Sequence, residues 1–165
     1  MKKVIVIGCS GSGKTTFSEK LRDSSGLPLY YLDAIWHKPD KTHIPRDEFD
    51  EILGQILERE EWIIDGNYSR TMERRMAACD TVVLFDLPTE VCLEGIKARI
   101  GTKRPDIPWI DTELDPVLKK QTEEFRAQSL PDVYRMIEKY REGREIIVFQ
   151  SREESDEFLS RIERI

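Results

Sequence analysis

The sequence VIVIGCSGSGKTT, residues 4–16, constrains the fold more than any other part of the chain. Its four β-branched residues predict a short strand that is buried on both faces. The window GCSGSGKT, which follows directly, matches the spacing G-x-x-x-x-G-K-[ST], and a helix is predicted to begin at KTTFSEKL. Glycines turn successive backbone N–H groups inward, and the start of a helix adds free donors and its dipole. This order of parts favours a phosphate cradle over a flexible Gly-Ser linker.

The residues that we expect to contact phosphate belong to this loop and to the first helical turn. They are Gly8, Ser10, Gly11, Ser12, Gly13, Lys14, Thr15 and Thr16. We expect Lys14 to reach the β and γ phosphates of a nucleoside triphosphate and to take part in catalysis, and the Thr15 hydroxyl to ligate Mg²⁺. The window therefore predicts a nucleotide site, but it does not say what is done with the nucleotide.

Three classes of protein use such a site, and two of them need elements that this chain lacks. A GTPase needs an N-K-x-D element for guanine, and the only asparagine in the sequence is Asn67. A mechanical ATPase needs a strand that ends in Asp-Glu, whereas the strand-ending Asp65 and Asp86 are followed by Gly66 and Leu87. A small-molecule kinase needs neither, because its acceptor supplies the nucleophile. The sequence therefore favours a kinase that uses ATP and Mg²⁺.

Strand-like and helix-like segments alternate along the rest of the chain. Apolar runs at 27–32, 61–66, 81–87 and 144–150 predict four more strands, and helical periodicity appears at 49–57 and, more weakly, at 91–100. Ser151 and Glu154 form a capping box before a helix that buries Phe158, Leu159 and Ile162. This alternation predicts a three-layer α/β sandwich with parallel strands. We expect one domain over residues 1–165.

Residues 97–116 interrupt the alternation. The segment KARIGTKRPDIPWIDTELDP has three prolines, a glycine and four cations, so it is too broken for a regular element and too long for an ordinary connection. Such a segment is typical of a lid or a binding loop. Residues 113–142 beyond it are predicted to be mostly helical, with an interruption near 130–132.

Composition limits the partners and the location. The chain has 165 residues, 39% of them apolar, and a formal net charge of −6, which disfavours broad nucleic-acid binding. No apolar run approaches the roughly 20 residues of a membrane-spanning helix, and the apolar stretch at 4–7 is too short for a signal peptide. Three cysteines without metal-ligand spacing indicate reduced thiols in a cytoplasmic protein. The oligomeric state is not determined by the sequence.

Three motifs resemble a known family. The stretches GCSGSGKTT, WIIDGNYSRT and CDTVVLFDLPTEV resemble those of the adenylate-kinase-like P-loop kinases. The stretches LDAIWHKP, DGNYSRT and TKRPD are similar to a bacterial subgroup known as DNA topology modulation proteins. The resemblance implies a five-stranded parallel sheet in the order 2-3-1-4-5, a helical acceptor arm at about 33–60 and a lid that carries arginines at about 101–115.

The same resemblance suggests roles for two further residues. It implies that Asp65 holds Mg²⁺ through water, with a turn-capping aspartate as the alternative. It implies that Arg70 grips the acceptor, with an ordinary solvated charge as the alternative. Four residues separate Asp65 from Arg70, one more than in the adenylate kinase pattern, and the usual proline is missing. These departures argue against carrying over a nucleoside monophosphate acceptor.

The second strand and the lid supply the other candidates. Asp33 follows the second strand, where a carboxylate can accept a hydroxyl proton or hold hydroxyls of the acceptor; a loop cap is the alternative. Trp36 and His37 are candidates for sandwiching a base or sugar, or Trp36 packs in the core instead. Arg99 and Arg104, with Lys103, are candidates for neutralising charge on the transferred phosphoryl group. In a gapless alignment, the first lid arginine of the family falls near Gly95.

The function predicted from these features is transfer of the γ-phosphoryl group of ATP to a small metabolite. The acceptor is expected among nucleosides, nucleotides or other hydroxyl compounds, and the sequence does not choose among them. The alternative is a nucleotide-binding regulator linked to DNA topology. The net negative charge argues against direct duplex binding.

Overall fold

A computed structural model describes residues 1–162 and contains one parallel sheet. Its strands are β1 (Lys3–Gly8), β2 (Leu29–Tyr31), β3 (Trp62–Asp65), β4 (Thr81–Phe85) and β5 (Glu145–Phe149). Their spatial order is β2-β3-β1-β4-β5, and every neighbouring pair is parallel. The predicted α/β fold class and strand order are therefore confirmed.

Helices cover both faces of this sheet. They are α1 (Lys14–Ser25), α2 (Leu32–Trp36), α3 (Arg46–Leu57), α4 (Ser69–Ala78), α5 (Thr89–Ala98), α6 (Pro116–Glu124), α7 (Leu130–Tyr140) and α8 (Arg152–Ile162). Helix α1 packs against α8, and α4 packs against α7. The Ser151 hydroxyl accepts a hydrogen bond from the Glu154 N–H at the start of α8, as the capping signal predicts.

Two boundaries differ from those expected. The strand predicted at 27–32 ends at Tyr31, because Leu32 begins α2. The predicted break near 130–132 is a π-helical segment, Phe125–Ser129, that joins α6 to α7. Pro131 lies in the first turn of α7, where its missing N–H costs no helical hydrogen bond. The chain therefore continues through this region as one uneven helical rod.

The core lies between the sheet and its helices. Residues Val4–Ile7 are fully buried, as expected for the central strand of a parallel sheet. On one side, Phe17 of α1 contacts Phe85 and Phe149 edge-on, with ring centroids 5.4 Å apart in both cases. All three cysteines are buried and free. In the part of the chain that the structure describes, no helix is long and apolar enough to cross a membrane.

The strand register positions the functional loops. Val6 of β1 lies opposite Asp65 of β3, and Asp65 in turn lies opposite Tyr31 of β2. Because the strands are parallel, the phosphate-binding loop, the 66–68 loop and helix α2 all leave the same edge of the sheet. Residues 101–115 of the predicted lid contain no helix or strand.

Candidate active site

The phosphate-binding loop depends on glycines at two positions where the backbone is left-handed. Gly11 has φ 79° and Gly13 has φ 98°. A Cβ atom at Gly11 would lie 2.2 Å from the carbonyl oxygen of Cys92, so a side chain there is excluded sterically as well. Gly13 is the N-cap of α1, and its carbonyl accepts the hydrogen bond of the Phe17 N–H at 3.0 Å. The loop therefore opens directly onto the N-terminus of a twelve-residue helix, which is a favourable position for phosphate.

A side chain outside the motif fixes the start of this loop. The Asn67 amide accepts a hydrogen bond from the Gly8 N–H at 3.0 Å and donates one to the Gly8 carbonyl at 2.7 Å. Both backbone groups of the first motif glycine are thus held by a residue 59 positions away. No local sequence signal indicates this role for Asn67.

The 66–68 loop is held in turn by a buried arginine. Arg75 of α4 is fully buried and donates hydrogen bonds to the carbonyls of Gly66 at 3.0 Å, Tyr68 at 3.1 Å and Asn67. It also donates to the Thr71 hydroxyl at 3.2 Å. Burial lowers the pKa of Arg75 to about 10, so the guanidinium stays charged near neutral pH. This residue was not anticipated, although the buried face of α4, formed by Thr71, Met72, Arg75 and Met76, includes it.

The residues that fit a magnesium ion lie at the end of β3. Asp65 is 4% exposed, and its Oδ1 has no hydrogen-bond partner among the described residues. Burial raises the pKa of Asp65 to about 6, although Lys14 and a hydrogen bond with the Thr15 side chain oppose the shift. A carboxylate and a hydroxyl are the hard oxygen donors that Mg²⁺ takes. Among the described residues, no three or more His, Cys, Asp or Glu side chains are placed to hold a metal ion together, so an ion here would depend largely on water and phosphate.

Two cavities meet at the phosphate-binding loop. The smaller, of about 650 Å³, is lined by Gly11, Gly13, Thr15 and Thr16 of the loop and by lid residues. The larger, of about 1060 Å³, extends from Ser10 past α2 to the far end of α7. The two cavities share three lining residues, Lys14, Arg99 and Arg104, and all three are cationic. The predicted contact residues Gly8 and Ser12 line neither cavity.

Asp33 lies in the larger cavity within a small hydrogen-bonded group. Its Oδ1 accepts a hydrogen bond of 2.6 Å from the Tyr68 hydroxyl and lies 4.0 Å from Nε2 of His37. Burial and the neighbouring carboxylate raise the pKa of Tyr68, so the hydroxyl remains a donor. Tyr68 has φ 32°, a strained value for a residue with a side chain. Tyr68 is a site residue that was not among those predicted from the sequence.

Trp36 has both of the environments considered for it. It stacks on His43 with centroids 4.2 Å apart and meets Phe49 edge-on at 5.6 Å. It also lines the larger cavity. His37 lines the same cavity, and its ring lies 5.2 Å from that of Trp109 in the lid, with the planes at 79°. The lid thus approaches the acceptor arm through aromatic side chains.

The two lid arginines differ in their partners. Arg104 forms an ion pair with the buried Asp106 at 2.6 Å and lies 3.8 Å from Asp111. The Arg99 guanidinium makes no hydrogen bond or ion pair within residues 1–162, and burial, then repulsion from Arg104, lowers its pKa. An unpaired, partly buried guanidinium beside a second one is a favourable site for an anion. Lys103 lines the smaller cavity.

Gly95 of α5 lies against the phosphate-binding loop. A Cβ atom at this position would lie 2.0 Å from the carbonyl oxygen of Gly11. Helix α5 therefore packs directly on the phosphate-binding loop, and an arginine cannot stand at this position without displacing that loop.

Arg70 is the predicted substrate-binding residue that the structure does not bring to the site. Its guanidinium donates two hydrogen bonds, of 2.9 and 2.8 Å, to the carboxylate of Asp50 on α3. The pair is solvent-exposed, and Arg70 lines neither cavity. The Asp50 carboxylate on α3 thus holds Arg70 at the exposed surface of the arm, and the role expected for Arg70 in binding the acceptor stays a prediction.

Comparison with known proteins defines the class of fold. No family model matches the chain, and no curated protein matches it either. Among solved structures, the chain is similar to shikimate kinase from Bacteroides thetaiotaomicron, at 16% identity over 98% of this chain and 96% of that one, with a TM-score of 0.56. It is also similar to shikimate kinase from Aquifex aeolicus VF5, at 19% identity over 96% and 92% and a TM-score of 0.52.

A third similar structure is a gluconokinase from Sinorhizobium meliloti 1021, at 17% identity over 99% of this chain and 87% of that one, with a TM-score of 0.53. At these identities the likeness concerns the fold. The chain therefore has the fold of the P-loop small-molecule kinases. The resemblance to the DNA topology modulation subgroup stays a prediction.

Proposed function

We propose that the protein is a phosphotransferase that uses ATP and Mg²⁺ and moves the γ-phosphoryl group to a hydroxyl of a small acceptor. The observation that carries this proposal is the identity of the residues common to the two cavities. A group that passes from nucleotide to acceptor must cross the place where the cavities meet, and Lys14, Arg99 and Arg104 line both of them. Three cations at this point suit a transition state whose charge is spread over the phosphoryl oxygens.

The smaller cavity fits the triphosphate. Backbone N–H groups of the glycine loop and the start of α1 would bind its phosphates, with Lys14 on the β and γ phosphates. Thr15 directly and Asp65 through water would hold Mg²⁺, which supplies neutralisation of phosphate charge when bound. The unpaired Arg99 and the lid-held Arg104 would stabilise the moving phosphoryl group.

The larger cavity fits the acceptor. Asp33 would accept the proton of the attacking hydroxyl. The oxygen of that hydroxyl would then bond to the γ-phosphorus of ATP, while the bond from the γ-phosphorus to the oxygen that bridges it to the β-phosphorus breaks. The products are the phosphorylated acceptor and ADP. Tyr68 and His37 would position the Asp33 carboxylate, and Trp36 would line the acceptor. The similar structures are named as kinases of shikimate and of gluconate, which supports a hydroxyl acceptor of metabolite size.

The alternative, a nucleotide-binding regulator that acts on DNA, lacks a comparable observation. The lid cations Arg99, Lys103 and Arg104 line the cavities, where they face a small ligand, and the net charge is −6. The regulator remains an outcome of the test below.

The test is a product-detecting screen with ATP and Mg²⁺ against nucleosides, nucleotides, shikimate, gluconate and simple polyols. One acceptor should yield a phosphorylated product together with ADP, and Lys14→Ala should reduce turnover about 10³-fold or more. Lys20→Ala is the matched control, because Lys20 lies on the same helix and pairs with Asp156 at the exposed surface. ATP hydrolysis that no acceptor changes, together with salt-sensitive DNA binding, would reject the kinase in favour of the regulator.

A further inference from the structure

The walls of the larger cavity carry information about the acceptor. We infer that its ligand is an uncharged alcohol that bears a flat ring, and that nucleosides are the class that fits. This inference rests on the proposed function, since it takes the larger cavity as the acceptor site. Three observations carry it: where aromatic rings lie, which cations are already paired, and which polar groups lack a partner.

Aromatic side chains from three parts of the chain face one another in this cavity. His37 of the arm and Trp109 of the lid have ring centroids 5.2 Å apart. Trp36 and Tyr68 lie 6.3 Å apart, and both line the same space. Stacking of a base on an aromatic side chain changes affinity by about tenfold or more. The enclosure therefore favours a ligand with a flat ring over a chain-like polyol.

The cations of the larger cavity leave nothing for a charged acceptor. Lys14, Arg99 and Arg104 also line the smaller cavity, where the triphosphate takes them. The remaining two are Arg135, which pairs with Asp132, and Lys139, which pairs with Glu73. An acceptor phosphate or carboxylate would therefore have no unpaired cation of its own among the described lining residues.

Carboxylates on the same walls act against an anion as well. Two of them, Asp33 and Asp115, line the cavity and pair with no Lys or Arg among the described residues. An anionic acceptor would meet repulsion in addition to the lack of a partner. Arg70 of α4, which the sequence suggests as a grip for the acceptor, is held outside by Asp50.

Polar groups without partners suit the edges of a neutral ligand. The second carboxylate oxygen of Asp33 has no hydrogen-bond partner within residues 1–162, and it is free to accept from a hydroxyl. The side-chain amides of Gln121 and Gln128, both exposed, also line the cavity and make no hydrogen bond in the described part of the chain. An amide offers both donors and acceptors, as the edge of a nucleobase requires. A nucleoside would use all of these groups if its hydroxyl lay near Asp33 and its ring pointed toward the two glutamine amides.

The decisive experiment compares three kinds of probe that differ in one property each. Adenosine, cytidine, guanosine and uridine carry both ring and hydroxyls; their 5′-monophosphates add charge; D-ribose removes the flat ring. Phosphorylated product is measured with ATP and Mg²⁺, and quenching of tryptophan fluorescence is measured without ATP. At least one nucleoside should show a kcat/KM at least about tenfold above that of its monophosphate and of ribose, and it should quench the fluorescence.

Two substitutions locate the binding. Trp109→Leu should raise the Kd of that nucleoside about tenfold and leave the KM for ATP unchanged, whereas Trp109→Phe, which keeps a ring, should retain most of the affinity. Tyr30→Leu is the matched control, because this ring lies beside Arg59 and lines neither cavity. An unchanged KM for ATP shows that each variant is folded.

The outcomes separate this inference from the proposed function. A preference of the wild-type protein for a monophosphate or for ribose would overturn the inference and leave the kinase standing. Nucleosides that neither quench nor react would also overturn it. Quenching that depends on Trp109, without any phosphorylated product, would support the ligand class and reject the kinase.

Discussion

The proposed phosphate-binding half and the proposed acceptor-binding half of the site are built in different ways. In the first, the loop of residues 8–15 offers backbone N–H groups, and its glycines make this geometry possible. In the second, Asp33, Tyr68 and Trp109 come from α2, the 66–68 loop and the lid, and side chains do the work. A backbone site is encoded in a short stretch of sequence, whereas a side-chain site exists only after distant segments have met.

A series of hydrogen bonds nevertheless connects the two halves. Arg75 holds the carbonyls of the 66–68 loop, and Asn67 in that loop holds both backbone groups of Gly8. The same set of hydrogen bonds thus holds the 66–68 loop and the phosphate-binding loop. Four substitutions test how far the two halves are independent, and they follow in order of decreasing expected effect.

Replacing Arg75 by methionine should have the largest effect. The change leaves the carbonyls of the 66–68 loop without their buried donor, so we expect the free energy of unfolding to fall by about 3 kcal/mol. Arg74→Met is the control, because Arg74 makes a single exposed hydrogen bond to the Asp50 carbonyl at 3.0 Å. Urea denaturation measures both. Equal losses for the two variants would contradict the role assigned to Arg75.

Asp65→Asn should make stability less dependent on pH in the absence of nucleotide and Mg²⁺. Burial raises the pKa of Asp65 from an ordinary 3.8 to about 6, so between these values the folded state holds a proton that the unfolded state has lost. The wild type therefore loses stability as the pH rises from about 4 to about 6, by roughly 2–3 kcal/mol from this group.

The variant lacks this loss, so it should be the more stable protein at pH 8, and the advantage should disappear near pH 4. Denaturation at both values, for the two proteins in parallel, measures the difference. The affinity of the Asp65→Asn variant for Mg²⁺ in the presence of ATP should also fall. An advantage that stays constant across the pH range would show that Asp65 does not carry the effect.

Tyr68→Phe should separate the two halves. The substitution removes the hydrogen bond to Asp33 and keeps the ring, so the KM for the acceptor should rise about five- to tenfold while the KM for ATP stays the same. Steady-state kinetics with the acceptor found in the screen measures both constants. Tyr134→Phe is the control, since Tyr134 bonds to Asp86 instead and lines neither cavity. A matching rise in the KM for ATP would mean that the halves do not act separately.

Arg70→Ala should have the smallest effect. Because Arg70 pairs with Asp50 on the exposed face of the arm, we expect less than about a twofold change in either KM and a loss of stability below about 1 kcal/mol. A tenfold rise in the KM for the acceptor would return Arg70 to the acceptor site. That result would favour a charged acceptor over the neutral one inferred above.

Sequence patterns predicted the five strands, the phosphate-binding loop and the irregular lid, because each is a local signal of a few residues. They also placed Asp33, Trp36, His37, Arg99 and Arg104 among the candidates, and all five line the larger cavity. The same patterns did not separate Arg70 from these residues. A cation that follows a strand gives the same sequence pattern in two different environments. It can face a ligand or, as here, an aspartate on the neighbouring helix.

The sequence by itself predicted a phosphate-binding loop at one edge of a parallel sheet, since glycine spacing and the flanking strand and helix are contiguous properties. Only the tertiary structure decided which side chains complete the site. Asn67 meets Gly8 across 59 positions and Arg152 meets Gly11 across 141. Contacts over such separations depend on strand order and helix packing, which no short stretch of residues encodes.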